Sequence, residues 1–374
     1  MPVNTGLAQI SSVLLVLAIV LYGLAMLAYA GDFAFGRRKA SAAHTAPAPE
    51  LVGARVGAGV GSESGLAGMS FPADPSDPSE LADLSSRGAE AAGSMNGAAG
   101  TSGLPGLPGL PGLGGRPPRW PDGAWLRNAF LLTCVGLALQ IGAILTRGLA
   151  EHRPPWGNMY EFIAAITCVA VLVLTVAAVR FRAYYMGLFV LLPVVLALAV
   201  DVVVIYTPAG ELVPALQSYW LAIHVTGMLI SIGMYIFGAV VTVLYLVVAR
   251  YERRVAAGQE SQAAGIMAQL PGSGILDRLS YRAILFAFPA WTFAVIAGAV
   301  WADHAWGRYW GWDPKETWSF ITWVVYAAFL HARATAGWRG RRAAYIQLVG
   351  FTCLMFNLVG VNLWITGLHS YAGM

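Results

Sequence analysis

Residues 220–249 read WLAIHVTGMLISIGMYIFGAVVTVLYLVVA, an unbroken run without one Asp, Glu, Lys or Arg. A helix needs about 20 apolar residues to cross the hydrocarbon core of a bilayer. In lipid every backbone N–H and C=O must be satisfied inside the segment, so a single crossing run must be helical. The run is long enough to project beyond the membrane. Working outward, apolar stretches of similar character cover Ile10–Ala30, Leu126–Thr146, Tyr160–Val179, Tyr184–Ile205, Ile284–Trp301, Thr317–Ala332 and Ala344–Trp364. The chain is 57% hydrophobic and 11% charged, with mean hydropathy +0.63. Soluble domains carry about 25% charged residues. These features predict an all-α, polytopic integral membrane protein of about eight transmembrane helices.

Orientation follows from the placement of Lys and Arg, which accumulate in short cytoplasmic loops. With the N-terminus outside, the inner segments after the third, fifth and seventh spans hold 11 arginines. The outer loops hold only Arg147, Arg153, Arg308 and Lys315. Both termini are therefore expected on the outer side. The leading segment MPVNTGLAQ lacks Lys and Arg, unlike the basic n-region of a signal peptide, and Ile10–Ala30 reads as a retained span. Three parts follow: residues 1–39 with the first span, an inner linker over 40–119, and a seven-helix core over 120–374. The linker is rich in Ala, Gly, Ser and Pro and includes GLPGLPGLPGLGG. It has too little apolar mass to offset chain entropy, and disorder is expected.

Two function classes are excluded early. The formal charge of +4 comes from basic residues flanking spans, which does not describe a nucleic-acid surface. Cys134, Cys168 and Cys353 form no C-x-x-C, so this chain holds neither a thioredoxin-like redox pair nor a haem-attachment site of its own.

The chemistry concentrates in WADHAWGRYWGWDPKETWSFITW, residues 301–323. It contains Trp301, Trp306, Trp310, Trp312, Trp318 and Trp323, six of the chain's 13 tryptophans. An interfacial aromatic belt needs only one or two per helix end. A loop over 301–318 this dense in indoles suits an aromatic platform for a flat ligand. Within it, Asp313-Pro314-Lys315-Glu316 reads as a helix start, with Asp at the N-cap, Pro at the first position and Glu closing a capping box. Direct ligand contact by Asp313 remains an alternative.

His224, near the start of its span, and His369, just past the last span, fall on the same expected side as this loop. Two imidazoles beside an aromatic platform suit bis-histidine ligation of haem, which also requires cations for its propionates. Arg147, Arg153, Arg308 and Lys315 are candidates for that task, and the sequence does not choose among them. His331 lies near the inner end of the seventh span and divides evenly between packing and ligation. His304 beside Asp303 and His152 in EHRPPWGNMYEF are weaker candidates, and the intramembrane Asp201 is undecided.

At Trp306, Gly307, Trp310, Trp312 and Asp313 the chain matches the pattern W-G-x-x-W-x-W-D. Here it resembles the CcsA/ResC-type cytochrome c biogenesis proteins of the tryptophan-rich haem-handling superfamily. LQSYWLAIHV around His224, ETWSFITWVVYAAFLHAR around His331, GVNLWITGLHSYAG around His369 and NMYEF at Asn158 extend the likeness over about Leu126 to Met374. The resemblance implies a plasma-membrane subunit that presents haem b on the extracytoplasmic face for thioether ligation to the C-x-x-C-H of apocytochrome c. It implies His224 and His369 as axial ligands, with Trp306, Trp310, Trp312 and Asp313 in the catalytic loop and Trp318 among the haem contacts. It implies His331 as a membrane-embedded ligand shared with a histidine of a separate CcsB/ResB-type subunit. A thiol-reducing thioredoxin-like protein would act indirectly. The alternatives are a haem-delivery protein without synthase activity and a bis-histidine electron-transfer cytochrome.

Overall fold

The computed structural model describes residues 3–36, 121, 123–210, 216–259, 267, 270–335 and 337–369. The expected linker over 40–119 lies outside the described residues. Eight long helices make up the described residues: α1 Thr5–Gly31, α2 Ala124–Glu151, α3 Met159–Phe181, α4 Gly187–Val203, α5 Tyr219–Ala256, α6 Ser273–Trp306, α7 Pro314–Ala334 and α8, which runs from Arg341 to Met355. A wide π turn, Phe356–Gly360, and the short segment Val361–Trp364 extend α8. No strand occurs among the described residues.

Seven of these helices are long and apolar enough to cross a membrane. The seventh expected span, α7, forms as a helix but is not among the seven. Lys315, Glu316, His331 and Arg333 sit near its two ends and shorten the apolar part. The protein is an all-α, multi-pass membrane protein.

Sequential helices run antiparallel and pack as neighbours. α1 lies along α2, where Tyr22 donates to Gln140 Oε1 (2.7 Å) and Ser11 donates to the Ala143 carbonyl (2.7 Å). Gln140 in turn donates to Thr167 and to the Ala164 carbonyl of α3, so these buried polar groups of α1–α3 find partners inside the bundle. Small residues allow close approach, as between transmembrane helices generally. Gly187 at the start of α4 faces the Tyr29 ring so closely that a Cβ there would run into it. α5 and α6 form a long hairpin, α7 and α8 a second, and α3 joins the two halves by packing on both α4 and α5. One apolar core binds α1–α4 to the far half of α5. The other lies among α5–α8 and encloses Trp291, Tyr235 and Tyr326. This second core carries the site.

One end of the bundle gathers the starts of α1, α3, α5 and α7 and the ends of α2, α4, α6 and α8. Contacts tie it together: Asn4 N–H donates to the Ala150 carbonyl, Arg147 to the Thr207 carbonyl and Leu368 N–H to Asp313. The Trp-rich loop, His224 and His369 all lie here.

Candidate functional site

Asp313 organises the site. Its carboxylate caps α7, accepting from Lys315 N–H (3.3 Å), while Glu316 Oε2 reaches back to accept from Asp313 N–H (3.1 Å) and Gly311 N–H (2.8 Å). The capping box read from D-P-K-E is present. The same carboxylate also reaches 55 and 56 residues along the chain. Oδ1 accepts from Leu368 N–H (2.8 Å) and Oδ2 pairs with His369 Nδ1 (2.8 Å). Burial works against the ionised carboxyl, but the bonds from His369, Leu368 N–H and Lys315 N–H outweigh it and hold Asp313 below the usual carboxylate range.

His224 is fixed from the opposite wall. Its Nδ1 lies 2.7 Å from the Ala294 carbonyl of α6. A carbonyl only accepts, so Nδ1 carries the proton and Nε2 keeps its lone pair. His369 Nδ1 likewise donates, to the Asp313 carboxylate. Both rings thus adopt the arrangement of a metal-ligating histidine, one nitrogen anchored and the other available. They flank one indole. Trp301 stacks against His224 at 6.1 Å between centroids and 13° between planes, and meets His369 at 5.8 Å and 61°. Trp306 closes on His369 edge-to-face at 4.9 Å.

These groups line one open cavity. Its enclosed space is about 190 Å³, below the roughly 300–1000 Å³ of small-ligand pockets, so a large ligand would project through the open mouth. His224, His369, Trp301, Trp306 and Trp310 all contribute to it, with an apolar wall that includes Met228 and Leu358. Lys315 and Glu316 line it as well. Burial pushes the Lys315 ammonium down to about 8 against the favourable field of Asp313.

The structure brings together His224, His369, Trp306 and Trp310, with Asp313 behind them. Trp312 and Trp318 do not line the cavity. Trp312 is 65% exposed, adopts left-handed backbone (φ +55°) and meets Trp310 at 90°. Trp318 packs on Phe356 of α8. The indoles therefore meet edge-to-face around a corner, as ring quadrupoles prefer, and do not make one flat platform. His331 is exposed at the far end of α7, about 27 Å of helix from Asp313. His304 bonds its own helix at the Val300 carbonyl, and His152 is an exposed cap in left-handed conformation. Asp201 is fully buried, away from the cavity lining.

The sequence profile described as "Cytochrome C assembly protein" matches residues 156–369. Cytochrome c biogenesis protein CcsA of Guillardia theta is 37% identical over 257 residues, 64% of this chain and 83% of that protein. Proteins of the same name from Gloeobacter violaceus and Synechococcus elongatus are 37% identical over 287 residues (64% and 84% covered) and 42% over 198 (44% and 61%). The chain belongs to the cytochrome c assembly protein family. The matched region runs from beside the cavity-lining Gly157 to His369 and contains every core helix of the cavity half.

Two features of this family member escaped sequence reasoning. Glu161, buried at the start of α3, accepts from Arg147, Arg153 and Gly157 N–H, while both arginines also pair with Glu151. This cluster fixes the loop before Asn158, whose Gly157 and Asn158 line the cavity, and it occupies both arginines. The signal was available: N-M-Y-E has the same cap-x-x-Glu spacing as D-P-K-E, and Asn158 caps α3 by accepting from Glu161 N–H. The second feature is Gly298. A Cβ there would stand 2.5 Å from His224 Nδ1. Nothing in the sequence marks that glycine.

Proposed function

We propose that this cavity binds haem b between His224 and His369 and presents it for covalent attachment to apocytochrome c. The carrying observation is the pair of imidazoles, each anchored through Nδ1 and each in contact with Trp301, lining one largely apolar cavity. Two such nitrogens are the axial set of a bis-histidine haem, and the indole and aliphatic walls suit a macrocycle. No cluster of three or more metal-ligating side chains occurs among the described residues, and a haem iron needs none.

The arginine-rich end opposite the cavity favours an extracytoplasmic site in a plasma membrane. His331, exposed on the surface near that other end, suits a ligand shared with a CcsB/ResB-type subunit. In the reaction, the acceptor's reduced C-x-x-C-H supplies two thiols. Each S–H adds across a haem vinyl, sulfur to one carbon and hydrogen to the other, and no oxidant is consumed. A thioredoxin-like protein upstream would keep those thiols reduced. This chain's part is positioning: it holds the iron by two side chains that the acceptor's histidine can replace one at a time. The activity of the complex is thus a holocytochrome c synthase-type ligation.

The test is co-expression with the partner and a reporter apocytochrome in a host lacking its own maturation system. Covalent reporter haem should appear with wild type, vanish in His224→Gly and His369→Gly, and partly return with added imidazole. A complex that purifies with haem yet never labels the reporter would leave only delivery or electron transfer.

A further inference from the structure

We infer that Lys315 is the cavity's carboxylate receptor, pairing with a propionate of the bound porphyrin and selecting for tetrapyrroles that carry free carboxylates. This rests on the haem reading above and deepens it.

Four cations were available on this side of the protein, and their environments separate them. Arg147 and Arg153 are committed to Glu151 and Glu161 at 2.7–3.1 Å. The Arg308 guanidinium lies across Gly311, so closely that a Cβ there would collide with it, and Arg308 does not line the cavity. Lys315 does. Arg333 pairs with Asp277 and His369 with Asp313, and among the described residues Lys315 belongs to no ion pair.

An ammonium in an apolar cavity without a partner is costly. The cost is recovered when a ligand brings the opposite charge. Neighbouring acids do not fill that role. Asp313 spends its oxygens on His369, Leu368 N–H and Lys315 N–H, and Glu316 turns Oε2 to two backbone N–H groups, while its buried Oε1 has no hydrogen-bond partner and forms no ion pair with Lys315. Register strengthens the argument. One oxygen, Asp313 Oδ2, holds both the His369 ring and the backbone of Lys315. The backbone that carries the cation is therefore fixed relative to one of the two imidazoles. A macrocycle ligated by His369 has its rotation in the cavity set by where its carboxylates meet Lys315, and that rotation also decides where the vinyl edge lies.

The experiment is a spectroscopic titration of the full chain in nanodiscs with haem and with haem dimethyl ester, which has the same iron and ring but no carboxylates. The readout is the low-spin bis-histidine spectrum, independent of any synthase activity. Wild type should prefer haem over the diester by on the order of ten- to a hundredfold, the range for losing a charge-assisted hydrogen bond. Lys315→Met should bring that preference close to unity while the low-spin spectrum survives, and Lys315→Arg should retain much of it. Comparing ratios cancels the different partitioning of the two porphyrins into lipid. A wild type indifferent to esterification, or an undiminished preference in Lys315→Met, overturns the inference and leaves the axial ligation standing. Absence of a low-spin spectrum with either porphyrin overturns the ligation itself, and the inference with it.

Discussion

Replacing Gly298 by Ala should weaken haem binding without unfolding the protein. The new Cβ would lie 2.5 Å from His224 Nδ1 and 2.6 Å from Cε1, distances that real side chains do not tolerate. Gly298 sits inside the helix α6, so nothing in its backbone resists alanine, and the substitution itself favours helix by up to about 1 kcal/mol. The imidazole must move, and its bond to the Ala294 carbonyl breaks. The lost bond is worth roughly 0.5–1.5 kcal/mol net, and about 1–3 kcal/mol if the ring N–H is left buried without an acceptor. Losing the group that orients a metal-ligating histidine typically costs about 10- to 100-fold in affinity. Haem titration by Soret absorbance should therefore show a ten- to hundredfold weaker site with reduced low-spin character. Gly23→Ala is the control, because a Cβ there meets nothing within 4 Å. Both variants should fold, with Gly298→Ala the less stable by about 1–3 kcal/mol from the lost bond and the binding loss confined to it. Wild-type affinity and spectrum in Gly298→Ala would refute the claim that the Ala294 carbonyl seats His224 as a ligand.

Asp313→Ala removes a helix cap worth about 1 kcal/mol and frees His369 and Leu368 together, so haem affinity should fall about 10- to 100-fold, read by the same titration. Trp312→Ala should leave haem affinity within about twofold, given a ring outside the cavity and only about 1.4 kcal/mol per tenfold change; reporter labelling should drop, and unchanged labelling would remove Trp312 from presentation. Glu161→Ala leaves Arg147 and Arg153 buried with Glu151 as their one remaining acid and should destabilise the protein by about 3–5 kcal/mol, measured by unfolding in detergent. Lys315, with its ammonium near 8, is charged below that pH and neutral above it. Haem affinity should accordingly decline as pH rises through about 8, while dimethyl ester affinity and the Lys315→Met variant stay flat over the same window.

How much of this was legible beforehand depended on the range of the interaction involved. The helices were readable because membrane crossing is decided by apolar length within one segment, and all eight expected helices formed. α7 was readable as a helix from its local cap and box, yet its charged ends keep it from qualifying as a span by apolarity. His224, His369, Trp306 and Trp310, which line one cavity, could be named as candidates because residue type restricts what can ligate iron or wall a macrocycle. Their supports could not. His224 meets Ala294 across 70 residues and His369 meets Asp313 across 56. Whether such pairs touch depends on the rotation and rise of two packed helices, and a slip of one residue turns a side chain by about 100°. Ala294 contributes only a backbone carbonyl, and Gly298 contributes only the absence of a Cβ, so neither has a chemical signature to read. The same limit explains the propionate candidates. Arg147, Arg153, Arg308 and Lys315 are equivalent as charges on one side of a membrane. They become different only when packing places Glu151 and Glu161 against two of them, a glycine under the third, and an open cavity before the fourth. In this protein the candidate ligand-binding residues announce themselves by type, and the residues that hold them in place are defined by contact alone.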